Sequence, residues 1–435
     1  MRGLRRIGSP IRPDHRETDR KPRSASRGLV HRLLVGWLVT LLLAACPGRP
    51  TGDGSELLII VNAPFSRSPY IGRTIAQGVR LAVDEINRRG GVTTAGRTYR
   101  FRVETLDNAL SPEKALRNIR TAVARNAVAV VDEGTGINAA WRVANPARLP
   151  ICITFQGGMG LVDAEARPNV FRIAPQDHGI GFRYAEYLIP KGLKVGFLHD
   201  DSDYGQQGRL AFHAAFGRNP EAVTAEIGVP ADAADPSPQV LQARRSGATA
   251  LLVWGTSATI ASVVRTARSS GWKVPIYTPP TGQDPLVRQQ LSDHPEWVDG
   301  LTFASGRMTA ERGPGPFLNF QGNYEREFGR DEVGVKTSSG RAVIQPPEYA
   351  MYSYDFVNVL AAAVRAAAGT DRIRLLDALN QVDVRGANGD ERGFNEKNHD
   401  GVVDDDVYFA VFHDMTFSPV RDDPLSSTLP VIKQT

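Results

Sequence analysis

From Leu57 onward, short apolar runs alternate with longer stretches in which apolar residues recur every three or four positions. The run Leu57-Leu58-Ile59-Ile60-Val61 predicts a strand buried on both faces, and the polar segment 62–68 after it predicts a loop. Pro69 behind Ser68 suits the first turn of a helix, where the missing N–H would have no partner anyway. Ile75, Val79, Ala82, Val83 and Ile86 then form a stripe of helical period that stops at Arg88-Arg89-Gly90-Gly91. The alternation continues with strands over 101–106, 127–131 and 151–154 and helices over 112–125 and 137–145.

A second series follows. It predicts helices over 178–189, 205–216, 238–246 and 258–269, and strands over 195–199, 223–227, 250–254, 275–278 and 301–304. Two long helices come after it, near 317–328 and 348–367. Gly313-Pro314-Gly315-Pro316, Asp235-Pro236-Ser237-Pro238 and the segment 386–406 predict turns or loops, none long enough for a flexible linker. Strand–helix alternation belongs to parallel sheets covered on both faces, so the fold class is α/β, with two doubly wound, Rossmann-like lobes in contact. Ligands of such sheets sit outside the carboxyl ends of the strands.

Charge changes the picture at the amino terminus. Residues 1–32 carry ten lysines and arginines against three acids, and residues 33–45 are uncharged and apolar. That run of 13 residues falls short of the ~20 needed to span a bilayer, so 1–45 reads as a signal peptide. Leu43-Ala44-Ala45-Cys46 resembles the bacterial lipobox, which implies a lipid on Cys46, a tether over 46–55 and a place outside the cytoplasmic membrane. Without the leader, 42 basic and 44 acidic residues remain (52 − 10 and 47 − 3), so no basic surface for nucleic acid is expected. With Cys46 lipidated, Cys152 has no disulfide partner, and stability must come from packing alone.

No Gly-x-Ser-x-Gly elbow, Walker loop, paired-cysteine zinc site or dinucleotide fingerprint occurs, so no catalytic residue, cofactor or metal is expected. The segment Asn398-His399-Asp400-Gly401 with Asp404-Asp405-Asp406 has the look of a calcium loop. Val407 stands where such a loop needs glutamate, which makes a solvated acidic turn the simpler expectation.

Several segments together resemble the type I periplasmic solute receptors, the group that includes the leucine/isoleucine/valine-binding protein of ABC importers. Gly78-Val79-Arg80-Leu81-Ala82-Val83-Asp84-Glu85-Ile86-Asn87 with its double-glycine exit is similar to that family's first helix. Residues 107–115 resemble its acidic turn, and Pro150 to Thr154 with Phe171 to Asp177 resemble its passage from lobe one to lobe two. His199-Asp200-Asp201 with Tyr204-Gly205 is similar to its second-lobe ligand loop, while Tyr354-Asp355 and Gly393-Phe394-Asn395 with Asp400-Gly401 resemble its late signatures.

The resemblance implies lobe one over 56–173 plus 308–382 and lobe two over 174–307 plus 383–435. Three strands would join them, near 172–176, 303–307 and 383–392. It further implies closure around a small solute, delivery to an ABC permease, and a monomer. A sensor that signals to a membrane partner is the alternative of the same fold.

By the same resemblance, the hydroxyl of Thr135 and nearby backbone amides would meet the ligand's carboxylate, and Gln156-Gly157-Gly158 would form a second ligand loop. Tyr204 would lay its ring on the ligand, with Ser257 donating from the next loop. At Thr278-Pro279-Pro280-Thr281 the sequence departs from the family: Pro280 stands where amino-acid receptors place the acid that pairs the ligand's ammonium group. Asp284 is the nearby substitute, and Arg67 in the first loop would favour an anionic or carbonyl-rich ligand.

Overall fold

A computed structural model describes residues 56–231, 233–308, 314–403 and 406–429. The expected leader, Cys46 and the tether lie outside the described residues.

The first lobe grows from β1 (Glu56–Ala63), whose seven residues after Glu56 are all buried. Helix α1 (Pro69–Arg88) follows, then the β2 (Val92–Thr94) and β3 (Arg97–Asp107) hairpin, α2 (Pro112–Ala124), β4 (Ala129–Asp132), α3 (Ile137–Ala144), β5 (Ile151–Ile153) and β6 (Val170–Arg172). The sheet runs β2-β3-β1-β4-β5-β6, all parallel except β2. Ser111 caps α2 by accepting from the amide of Lys114, with Pro112 next, whereas Ser68 before α1 makes no such side-chain bond.

The second lobe holds α4 (Asp177–Leu188), β7 (Val195–Asp200), α5 (Asp203–Phe216), β8 (Val223–Val229), α6 (Ser237–Arg245), β9 (Ala250–Trp254), α7 (Ser257–Ser269), β10 (Ile276–Thr278), α8 (Pro285–Gln290) and β11 (Thr302–Ser305). After it come α9 (Gly315–Phe328), the hairpin β12 (Glu332–Lys336) and β13 (Ala342–Ile344), α10 (Glu348–Ala366), α11 (Arg372–Leu379), the hairpin β14 (Asp383–Arg385) and β15 (Glu391–Gly393), and β16 (Tyr408–His413) with β17 (Thr416–Pro419). The second sheet runs β17-β16-β11-β10-β9-β7-β8. Set β2, β16 and β17 aside, and the parallel strands of both sheets share one order: second, first, third, fourth, fifth. In that order the chain reverses direction across the sheet between first and third strands, at β1/β4 and at β7/β9, and the crevice opens there.

The cores divide the chain differently from the expected 382/383 boundary. Ala387, Phe394 and Val402 pack with Phe356 and Leu360 of α10 in the first core, whereas Val407 and Phe409 pack in the second. The third passage between lobes therefore lies between Val402 and Val407, because the β14–β15 hairpin packs against α10 through Val384 and Ala387. The β12–β13 hairpin also changes sides: Val333, Val335 and Val343 enter the second core although the segment leaves and rejoins the first lobe. Nor is the acidic turn simply solvated. Asp400 is hydrogen-bonded to Arg172, and Asp406 lies 3.4 Å from Arg392.

Candidate functional site

Each switch point is tied by a buried aspartate. In the first lobe, Asn62 at the end of β1 donates to Asp132 at the end of β4 (2.7 Å), and Asn118 of α2 donates to Asn62 (2.7 Å). In the second, Asp200 at the end of β7 accepts from the amide of Thr256 (2.7 Å) and the hydroxyl of Thr259 (2.8 Å) beyond β9. Burial raises the carboxyl of Asp132 to about 7, against the donors from Asn62 and Gly134.

Between the two switch points lies a cavity of about 60 Å³. The first lobe lines it with Ser68 just before α1, Ile71 of α1, Leu110, Glu133, Thr135, Phe155 and Gln156. Its other wall comes from Ser202, Asp203, Tyr204, Thr256, Ser257 and Thr281. Thr135 is 3 % exposed, Tyr204 8 % and Ser257 4 %, while Asp203 at the rim is exposed and Ser68 and Ser202 are half-buried. Phe155 stands between them, its ring 6.0 Å from Tyr204 and 4.9 Å edge-on to Tyr349 of α10.

Glu133 is the hub of the first wall. Its Oε1 accepts from the Thr135 hydroxyl (2.9 Å) and the Gln156 amide (2.8 Å); its Oε2 accepts from Asn108 (2.9 Å) and the Thr135 backbone N–H (3.3 Å). Burial raises this carboxyl above the usual range, and the four donors oppose that rise. Gly134 makes the turn possible, because its φ of +126° is closed to other residues and a Cβ there would sit 2.5 Å from that of Gln156.

On the second wall Tyr204 lies in the first turn of α5, where Ser202 caps the helix by accepting from Gly205. Burial raises its phenol well above the ordinary range. Ser257 likewise begins α7 instead of ending a loop, because Thr256 caps that helix from one residue earlier than expected, accepting from Thr259.

Of the residues singled out in the sequence, Thr135, Gln156, Tyr204 and Ser257 come together around this one cavity. Gly157 and Gly158 do not line it. Their close approach is to the chain itself: a Cβ on Gly157 would fall 2.4 Å from the amide of Asp177, and one on Gly158 2.8 Å from Gln207. Arg67 is exposed on the first loop and outside the lining. Asp284 caps α8 through the amide of Leu286 (2.8 Å) and has its carboxyl raised to about 6 by burial. It forms part of a larger hollow of about 540 Å³, which Ser68 shares with the cavity and Arg73 flanks. Pro280, the point of departure, is buried, and its carbonyl accepts from the Tyr349 hydroxyl (2.9 Å) across the lobes.

Glu133, Phe155, Thr256 and Thr281 were not foreseen. Glu133 had a visible signal, the second of two acids after the apolar run Val130-Val131 and two residues before Thr135. Phe155 had none, since an aromatic at a strand end reads equally as core.

Comparison with known proteins agrees with this geometry. A sequence profile of the family described as periplasmic binding protein matches residues 63–415. An amino acid binding protein of Pseudomonas aeruginosa is 22% identical over 369 residues, covering 80% of this chain and 88% of that protein. Leu/Ile/Val-binding protein homolog 8 of Brucella abortus is 26% identical over 225 residues, 48% of this chain and 54% of that one. The crystal structure of a type 1 periplasmic binding protein from Bordetella pertussis superposes with a TM-score of 0.74 at 20% identity, over 84% of this chain and 100% of that chain. LivJ of Streptococcus pneumoniae, solved in complex with isoleucine, gives 0.69 at 22% identity, over 83% and 98%. The solved structures establish the two-lobed fold, and with the profile spanning most of the sequence, this chain belongs to the periplasmic binding protein family.

Proposed function

We propose that the protein is an extracytoplasmic receptor that captures a small polar solute between its lobes and releases it unchanged to an ABC importer, held at the membrane by lipid on Cys46. The observation that carries this reading is the shared cavity, whose buried walls come from the switch points of both sheets. A solute there contacts both lobes at once, so it favours the conformation in which they meet by the difference in its affinity for the two arrangements. Thr135 and Gln156 would contact it from one side, Tyr204 and Ser257 from the other. The relatives named as binders of amino acid and of Leu/Ile/Val, and the neighbour holding isoleucine, support a solute of that size and class. Among the described residues no helix is long and apolar enough to cross a membrane.

Binding that selects the folded, lobe-contacting state raises the melting temperature, by an amount equivalent to roughly 2.7 kcal/mol at one hundred times Kd. The screen to run is thermal shift with amino acids, their amides, urea and short carboxylates. Tyr204→Ala removes an aromatic wall and is expected to cut the shift given by the best solute severely. An undiminished shift in the variant, or a chemically altered solute recovered from the complex, would refute the assignment.

A further inference from the structure

The walls of the cavity carry charge of one sign. No lysine, arginine or histidine is among the described residues lining it, while Glu133 and Asp203 are. Glu133 is 1 % exposed, and each of its four hydrogen bonds comes from a neutral group: the Asn108 and Gln156 side-chain amides and the hydroxyl and backbone N–H of Thr135. Neutral donors solvate a carboxylate without cancelling its charge, so a cation placed beside it in a water-poor space is strongly favoured.

The same four bonds decide what the site refuses. The hydroxyl and N–H of Thr135, the groups that would receive a ligand's carboxylate, are already donated to the protein's own. An incoming carboxylate would find the nearest donors spent and a like charge behind them. On the facing wall Asp203 opens α5 with a second carboxylate, and the carbonyls of Thr281 and Gly255 already accept from Ser257 (3.4 Å) and Thr281 (2.9 Å). The rest of the lining is apolar, with Ile71, Leu110 and Phe155 placed to cover an aliphatic group.

We propose that the cavity takes a small aliphatic amine or amino-acid amide, cationic and without a carboxylate, whose ammonium group faces Glu133. This rests on the reading of the shared cavity as the solute site and specifies its ligand. The buried partner of the ammonium then lies on the first lobe, which accounts for a second lobe that carries Pro280 where an acid was expected.

Titration calorimetry on the processed chain tests it with leucinamide and isobutylamine, against leucine, isobutyrate and the uncharged isobutanol. The two cations are expected to bind, leucine and isobutanol roughly tenfold or more weakly, and isobutyrate not measurably. Glu133→Gln, with its fold checked by circular dichroism, is expected to abolish the preference for isobutylamine over isobutanol. The comparison within the wild-type protein stands without the variant should the variant not fold. Leucine or isobutyrate binding as tightly as leucinamide would overturn the assignment of ligand class and leave the receptor reading intact. If none of these probes binds, the ligand class is likewise wrong, and a Tyr204-dependent thermal shift with another solute then decides whether the receptor reading survives.

Discussion

At the scale of single residues, Gly157 shows how a correct position can carry a mistaken role. The sequence marks a glycine after a strand as a place where something comes close, and it does not say what. Here the visitor is the start of α4: the Asp177 amide and the Pro175 carbonyl would both lie 2.4 Å from an added Cβ. Gly157→Ala is accordingly expected to destabilise the fold by roughly 1–3 kcal/mol through backbone displacement at the first lobe crossing. Urea unfolding measures this, and a midpoint equal to wild type would show that the loop moves freely. Thr135, Gln156, Tyr204 and Ser257 were legible through the family resemblance, which marks the loops after strand ends. Glu133 was passed over because a carboxylate in a loop is usually solvated, and only the fold shows four donors converging on it.

At the scale of elements, the long periodic segments were readable and the short late ones were not. The stripe from Ile75 to Ile86 gave α1, and the five-residue apolar runs gave β1 and β9, because burial on a whole face leaves a periodic trace. The β12–β13 hairpin left little. Glu332-Val333-Gly334-Val335-Lys336 alternates cleanly, yet it spans five residues around a glycine, too short to outweigh a loop. Its placement matters for movement. Asp331 at one end accepts from Tyr70 (2.8 Å) and Arg73 (3.0 Å) of α1, and Gln345 at the other donates to Tyr70 (3.1 Å). The valines between them sit in the second core, where Gln289 of α8 donates to the Val333 carbonyl (2.8 Å). The hairpin is a strap from one lobe to the other. Asp331→Ala is expected to loosen it and increase the radius of gyration of the solute-free protein in X-ray scattering; unchanged dimensions would rule out a restraining role.

At the scale of the whole molecule, the buried acids make stability depend on pH. Burial raises Asp132 and Asp177 from 3.8 to about 7, and Asp284 and Asp355 from 3.8 to about 6. Between about pH 4 and 7 these groups hold more protons folded than unfolded, so their contribution to stability is greatest at the acid end and falls as pH rises through that window. Asp177 bears on this most plainly, because its Oδ2 meets no hydrogen-bond donor among the described residues and Arg172 alone opposes the rise. Asp177→Asn is expected to leave the melting temperature nearly unchanged near pH 4 and to raise it by several degrees near pH 8. Parallel curves for variant and wild type would exclude Asp177 as a source of the dependence. The two-lobed plan itself was legible from the repeated alternation of elements. The third passage was not, since Val384, Ala387 and Phe394 look no different in sequence from residues of the second lobe.

The near-complete burial of Thr135, Gln156, Tyr204 and Ser257 has a kinetic consequence. A guest held there keeps both sets of contacts only while the halves stay together, so how often the halves part bears directly on its residence time. Substitutions in the strap would then shorten occupancy without altering a single group that the guest meets.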